Sequence, residues 1–102
     1  VPAIMGCTAI ITARSSTPTQ RSAALTNRGR AYLRRDQPDR ALADFDQAIA
    51  VAPKDYEVHV RRATFRLAIG NIDGAKQDLA NAKAVADEAT AKRIGEMIEG
   101  LK

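Results

Sequence analysis

Small and aromatic residues recur along this chain with a period of 34 residues. One copy runs from Ser22 to Asp55, and a weaker copy runs from Tyr56 to Ala89. The first is marked by Leu25, Gly29, Tyr32, Ala41, Phe45, Ala48 and Pro53, and the second keeps Ala63, Gly70, Ala75, Leu79 and Ala82. A period of this length is typical of a helix–turn–helix unit, which buries its apolar face only by stacking on neighbouring units. The pattern therefore predicts a helical repeat that offers a surface rather than a pocket for chemistry.

Composition also favours an all-α fold. Apolar residues make up 45% of the 102 residues, but aromatic residues make up only 4% and Trp is absent. Much of the apolar share is Ala, which suits helices whose axes approach one another closely. A β-sandwich would need more Val, Thr and aromatic residues. The length predicts one small domain that buries roughly two-thirds of its unfolded surface.

Hydrophobic periodicity and the repeat register predict five helices in the two copies and in the segment that follows them. Between Tyr56 and Ile69 the apolar residues partly alternate, which alone would suggest a strand, and the repeat register favours the helix. Their expected bounds are about Thr19–Arg35, Asp39–Val51, Tyr56–Ile69, Gly74–Val85 and Glu88–Leu101. We expect N-caps at Thr17 or Thr19, at Asp55 and at Asp73. A glycine inside a helix costs on the order of 1 kcal/mol, so Gly29 indicates that a partner helix packs closely against it.

We expect a single domain over residues 1–102. It comprises an N-terminal helix (1–14), a linker (15–21), a first repeat (22–55), a second repeat (56–89) and a capping helix (90–102). The N-terminal helix presents Ile4, Cys7, Ile10 and Ile11 on one side. Cys7 is predicted to be a buried thiol, and pairing with a cysteine outside this sequence is the alternative. The capping helix has one apolar and one wet face, as the end of a solenoid requires.

The first repeat resembles the tetratricopeptide repeat. The likeness is carried by the run Asn27-Arg28-Gly29, followed by Tyr32, Ala41, Asp44-Phe45 and Ala48. The segment Ile4–Ile11 is similar to that preceding the first repeat in small bacterial members of the family. The resemblance implies a right-handed superhelical stack of antiparallel helix pairs, with an extra N-terminal helix and a C-terminal capping helix. It also implies a scaffold that holds a peptide or helix in a concave groove lined by the first helix of each repeat.

Mapped onto this sequence, the resemblance places five residues in the peptide-binding groove: Asn27, Arg30, Arg34, Arg61 and Thr64. Asn27 and Arg61 match two members of the clamp by which one subgroup grips a peptide's terminal carboxylate. Glu57 stands where that clamp has a Lys, so the match is partial. Guanidinium groups bind carboxylates bidentately, which favours an acidic peptide. The alternative is that these arginines pair with Glu57 and neighbouring acids in solvent.

Charge is unevenly distributed along the chain. The formal net charge is +4, and the stretch from Arg21 to Arg35 holds five arginines and no acid. Such a stretch attracts acidic peptides, nucleic acid or an anionic membrane surface. The alternative is a solvated helix surface balanced by Asp44, Asp46 and Asp55. Nucleic acid is the less favoured partner, because the few aromatic residues are mostly used inside the repeat.

The sequence offers no pattern for catalysis or for a cofactor. His59 is the only histidine, and no nucleophile or carboxylate pair stands at motif spacing around it. One His and one distant Cys are too few for a metal site. No stretch approaches the roughly 20 apolar residues of a membrane span. We therefore expect a protein that is not an enzyme and needs no cofactor.

Three functions remain open from the sequence. The leading one is a scaffold that binds a protein or peptide partner. The second is a self-associating, homodimeric module joined through an apolar edge near Ile4, Ile10 and Ile11. The third is a module that binds anions or nucleic acid through its arginines. The sequence leaves localisation open between the cytoplasm and the periplasm.

Overall fold

The computed structural model describes residues 17–101, which form five α-helices. These are α1 (Pro18–Arg34), α2 (Pro38–Val51), α3 (Tyr56–Ala68), α4 (Ile72–Val85) and α5 (Glu88–Gly100). Residues 17–101 include no strand, so the predicted all-α fold is confirmed. The predicted N-terminal helix and Cys7 lie outside the described residues. No helix of the described part is long and apolar enough to cross a membrane.

The chain divides into two compact units, residues 1–53 (unit 1) and residues 54–102 (unit 2). In unit 1, α1 and α2 pack against each other as a hairpin. In unit 2, α4 packs against both α3 and α5. Each of the five predicted helices is present, and its bounds lie within about two residues of those expected. α1 begins at Pro18, inside the segment expected to be a linker.

Unit 1 is held together by a fit between a large and a small residue. Phe45 of α2 is 1% exposed, and its ring edge contacts Gly29 of α1. A Cβ atom at Gly29 would lie 3.0 Å from Phe45 Cε2 and 3.2 Å from the carbonyl oxygen of Ala41. These distances are too short for a side chain to fit without a shift. They confirm the predicted close approach and explain why a glycine stands inside a helix.

In unit 2 the two corresponding residues also pack together, but their side chains differ in size from those of unit 1. One period later, Ala63 takes the place of Gly29 and Leu79 takes the place of Phe45. Both are buried in a core completed by Ala75, Ala82 and Ile94. Because Leu79 is smaller than a phenylalanine, the methyl group of Ala63 has room. Ile94 belongs to α5, which therefore covers one side of this core while exposing its other face.

Both hairpins reverse direction through the same type of helix end. Asp36 and Gly70 stand 34 residues apart, and their φ angles are 58° and 83°. In each unit the N–H of the next residue donates to the carbonyl oxygen five positions back, at 2.9 Å from Gln37 and 2.7 Å from Asn71. This is the Schellman motif, in which the left-handed residue is usually glycine. Asp36 therefore carries a backbone cost that Gly70 avoids.

Side-chain caps begin four of the five helices. At α1, Thr17 and Gln20 form a reciprocal capping box, with hydrogen bonds of 2.9 and 3.1 Å. Asp55 caps α3 as predicted, by accepting from a backbone N–H at 3.0 Å. At α4 the cap is Asn71, whose side chain accepts a backbone N–H at 2.9 Å. The prediction of Asp73 as this cap was wrong, because the helix begins earlier and includes Asp73.

Asp87 caps α5, and the pKa of its carboxyl group is lowered. Its carboxylate accepts the backbone N–H of Thr90 at 2.7 Å. This hydrogen bond, the Thr90 side chain and the charge of Arg93 lower the pKa of Asp87 below its ordinary value of 3.8. The ionised form is therefore the one that favours the start of α5.

Candidate protein-binding surface

One face of α1 is exposed along most of its length. Four exposed residues follow the spacing i, i+4, i+7, i+11, and we call them the α1 stripe: Ala23, Asn27, Arg30 and Arg34. This spacing places them in a row on one side of an α-helix. At a rise of 1.5 Å per residue, the row is about 16 Å long. Three of the five residues predicted for the site therefore share one surface.

The arginines of the α1 stripe have no ionic partner in the part of the chain that the structure describes. Neither Arg30 nor Arg34 makes an ion pair with any of residues 17–101. Helix α1 contains no acidic residue, so no intrahelical partner exists. An exposed guanidinium group presents a planar fork of N–H donors that matches a carboxylate. The α1 stripe is thus a basic surface whose donors are available.

Helix α3 carries the other two predicted residues, on an exposed face of unit 2. A shallow depression of about 270 Å³ is lined by Tyr56, Glu57, Val60, Arg61 and Thr64. Arg61 makes no ion pair with the described residues, so the pairing with Glu57 that the sequence left open is not formed. The Thr64 hydroxyl donates to the Val60 carbonyl oxygen at 3.0 Å, which leaves the hydroxyl oxygen able to accept.

The two surfaces differ in charge. The α1 stripe of unit 1 carries only positive charge, from Arg30 and Arg34. The exposed face of α3 in unit 2 carries both signs, from Glu57 and Arg61. Each surface is complete within its own unit, so each can be tested by substitutions on a single helix.

Buried ion pairs that were not predicted from the sequence join the two helices of each hairpin. In unit 1, Arg28 Nε and Nη2 donate to Asp44 Oδ2 and Oδ1 at 2.8 and 2.7 Å. In unit 2, Arg62 Nη2 donates to Asp78 Oδ1 at 2.7 Å, and Arg66 Nη1 lies 3.0 Å from the same oxygen. The side chains of Asp44 and Asp78 are 6% and 0% exposed. Asp44 thus balances one arginine of the basic stretch, as the alternative proposed, but in a buried pair rather than on a solvated surface.

The repeat period itself contained the signal for these pairs. Arg28 and Arg62 stand 34 residues apart, as do Asp44 and Asp78, and each Arg precedes its Asp by 16 residues. Two residues that contact each other in one repeat recur together in the next. Applying this rule to the charged residues would have identified Arg28 and Arg62 as paired arginines.

Tyr32 and Arg66 occupy the same place in the period and stabilise their units differently. The Tyr32 ring lies near the guanidinium carbons of Arg28 and Arg40, each 5.8 Å from the ring centroid. Both contacts are within the range of cation–π attraction. In unit 2 the ring is replaced by Arg66, which contacts the carboxylate of Asp78 instead. At this place the second copy thus has an arginine that binds the buried carboxylate, where the first copy has an aromatic ring.

His59 is buried in α3 with 7% of its surface exposed. Among residues 17–101, no group of three or more His, Cys, Asp or Glu side chains is placed to hold a metal ion. A second open depression, lined by Lys83, Glu88, Ala89, Ala91 and Lys92, carries a single carboxylate.

Residues 22–55 match the family model described as the tetratricopeptide repeat. Over these residues the chain is similar to the tetratricopeptide repeat. The matched residues cover α2 and all but the first four residues of α1, and they end at Asp55, the N-cap of α3. It coincides with the first repeat predicted from the sequence. No curated protein and no solved structure matches the chain.

The tetratricopeptide repeat indicates a protein–protein interaction module with protein partners, and the family consists generally of non-catalytic scaffolds. The second copy lies outside the matched residues. It nevertheless forms a hairpin with the same helix end at Gly70 and the same buried pair between Arg62 and Asp78. Both copies therefore build the same helix pair.

Proposed function

We propose that this chain is a non-catalytic scaffold that binds a peptide or helix of a partner protein. The contact surfaces are the exposed faces of α1 and α3, the first helices of the two pairs. The observation that carries the proposal is a division of the arginines into two sets. One set is bound to buried carboxylates: Arg28, Arg62 and Arg66. The other is exposed without an ion pair among residues 17–101, and it includes the three arginines predicted for the groove: Arg30, Arg34 and Arg61.

An acidic partner fits the second set best. Guanidinium groups form paired hydrogen bonds with carboxylates, and the α1 stripe has no acidic residue on its own helix to compete for them. Each exposed ion pair contributes roughly 0.2–1 kcal/mol. The two pairs of the α1 stripe therefore change affinity by at most about 30-fold, and the single pair on α3 by at most about five-fold. We expect moderate affinity that weakens as salt is added.

Fluorescence anisotropy with defined peptides tests this function. The probe is a labelled ten-residue peptide, capped at both ends, with four Asp residues, and its control carries Asn in their place. We expect saturable binding of the acidic probe only. Arg61→Gln is expected to weaken that binding by about two- to five-fold. Lys92→Gln removes an exposed cation of α5 and is expected to have no effect.

Three results would contradict the proposal. Equal losses for Arg61→Gln and Lys92→Gln would show that the probe responds to net charge alone. A dimer that persists across protein concentration and salt in light scattering, without binding of the probe, would favour self-association. Tighter binding of single-stranded RNA than of the peptide, with a steep salt dependence, would indicate a nucleic-acid module. Helicity and thermal unfolding of both variants must match those of the unsubstituted chain.

A further inference from the structure

We propose that the α1 stripe binds an extended, internal segment of the partner in which two acidic residues are separated by one residue. Arg30 and Arg34 hold the two carboxylates. This inference rests on the proposed function and specifies the partner chemistry of one of its two surfaces. Three features of the stripe support it: its lack of large apolar groups, the distance between its arginines and the position of its amide.

The side chains of the stripe suit an extended peptide better than a helix. A helix bound in a groove needs apolar pockets for side chains on one of its faces. The stripe instead presents a methyl group at Ala23, an amide at Asn27 and two guanidinium groups. An extended peptide is held by hydrogen bonds to its main chain and by every second side chain. The Asn27 amide offers both a donor and an acceptor for a peptide group, and the short Ala23 lets a backbone approach.

The spacing of the arginines sets the spacing of the carboxylates. Arg30 and Arg34 are four residues apart, which is about 6 Å along a helix axis. In an extended peptide, side chains on the same side are two residues apart, or about 6.6 Å. Acidic residues at i and i+2 therefore face both arginines at once. Acidic residues at i and i+1 point to opposite sides, so only one of them reaches the stripe.

The carboxylates belong to side chains rather than to the end of a peptide. Thr26, which precedes Asn27, is 2% exposed and its hydroxyl donates to the Ala23 carbonyl oxygen at 2.9 Å. It therefore adds no donor that could grip a terminal carboxylate. The two arginines of the stripe provide separate positions for two carboxylates. A peptide with an amidated C terminus is expected to bind as tightly as one with a free terminus.

Four labelled nine-residue peptides of identical composition test the inference by fluorescence anisotropy. All are acetylated; three are amidated and carry two Asp residues at spacings i and i+1, i and i+2, or i and i+4. The fourth repeats the i, i+2 spacing with a free C terminus. Arg30→Gln and Arg34→Gln remove the proposed contacts. Arg35→Gln is the matched control, because Arg35 is exposed and adjacent in sequence but lies about 100° around the helix from Arg34.

We expect the i, i+2 peptides to bind about two- to five-fold more tightly than the i, i+1 peptide, which is the contribution of one exposed ion pair. Arg30→Gln and Arg34→Gln are each expected to abolish this preference, whereas Arg35→Gln preserves it. Equal affinity for all spacings, with losses in the Arg30 and Arg34 variants, would overturn the inference and leave the proposed function standing. A preference for i, i+4 would also overturn it, since that spacing fits a helical partner.

Three further results would overturn the inference. If none of the acidic peptides binds the unsubstituted chain, the proposed function fails as well. If single-stranded RNA or vesicles rich in anionic lipid displace the i, i+2 peptide at equal charge concentration, the stripe is a general anion surface. Loss of the spacing preference in Arg35→Gln would show that total charge, rather than the stripe, determines binding.

Discussion

Removing the buried carboxylate of unit 2 is expected to destabilise the protein more than removing its counterpart in unit 1. Asp78 is fully buried and forms ion pairs with two arginines, whereas Asp44 is 6% exposed and, among residues 17–101, forms an ion pair with Arg28 alone. Truncation of either aspartate to Ala leaves guanidinium groups in the protein without their carboxylate. Breaking a buried ion pair from one side costs about 3–5 kcal/mol.

The partial exposure of the arginines reduces this cost. Side-chain exposure is 18% for Arg28, 17% for Arg62 and 21% for Arg66, so water can reach each cation after the truncation. We therefore expect a loss of about 2 kcal/mol for Asp44→Ala and about 4 kcal/mol for Asp78→Ala, which removes the carboxylate that two cations share. Glu96→Ala, at an exposed position of α5, is the control and is expected to stay within about 0.5 kcal/mol.

Urea denaturation followed by circular dichroism at neutral pH measures these losses as free energies of unfolding. Asp78→Asn provides a second variant that keeps the side-chain volume and removes the charge, in case the alanine variant does not fold. Because the pairs are buried, added salt should leave the ranking unchanged. A loss below about 1 kcal/mol for Asp78→Ala, or equal losses at the two aspartates, would refute the reasoning from burial and partner number.

Three further predictions concern the backbone and the helix ends. Asp36→Gly is expected to stabilise the protein by about 0.5 kcal/mol, because relief of a left-handed non-glycine residue, about 1–2 kcal/mol, exceeds the added entropy of a glycine in the unfolded chain, about 0.5–1 kcal/mol. Gly70→Asp is expected to destabilise the protein. Free-energy changes of the same sign for both substitutions in urea denaturation would contradict this. Gly29→Leu is expected to unfold the domain. Phe45→Leu is expected to reduce the stability lost through Gly29→Ala, because the smaller side chain makes room for the added methyl group. Additive losses of stability in thermal unfolding of the double variant Gly29→Ala, Phe45→Leu would contradict the fit between these residues. Asp87→Asn is expected to have a lower free energy of unfolding than the unsubstituted chain above about pH 4. This difference in free energy should shrink as pH falls through and below 3.8, because the lowered pKa of Asp87 makes protonation of the native carboxylate occur there. A difference that stays constant down to about pH 2 would contradict this.

The helices could be predicted because local signals and the repeat period agree. Pro18 and Pro38 stand in first turns, and Pro53 follows the end of α2. Asp55 caps α3, and Gly70 supplies a positive φ at the end of that helix. Each of these residues acts within a few positions of its own place in the chain. The start of α4 was less well predicted, because Asn71 and Asp73 are both suitable caps and their sequence alone does not rank them.

The candidate site was predicted less completely, because its chemistry depends on contacts between distant residues. Asn27, Arg30 and Arg34 were placed on the exposed face by the helical period and the family resemblance. Which arginines are already paired is decided across the hairpin, as the contact between Arg28 and Asp44 shows. Assigning charges by their sign along the sequence could not reveal that contact. Comparing charged positions one period apart could have done so.

Chemical-shift mapping by two-dimensional NMR tests the central claim most directly, namely that the exposed faces of α1 and α3 bind a partner. The backbone amides of the isotopically labelled chain are followed while the capped ten-residue acidic peptide is added. We predict saturable shifts that centre on Asn27, Arg30, Arg34, Arg61 and Thr64, with little change along α4 and α5. Shifts concentrated on α4 and α5, or small uniform shifts that track added charge, would contradict the account.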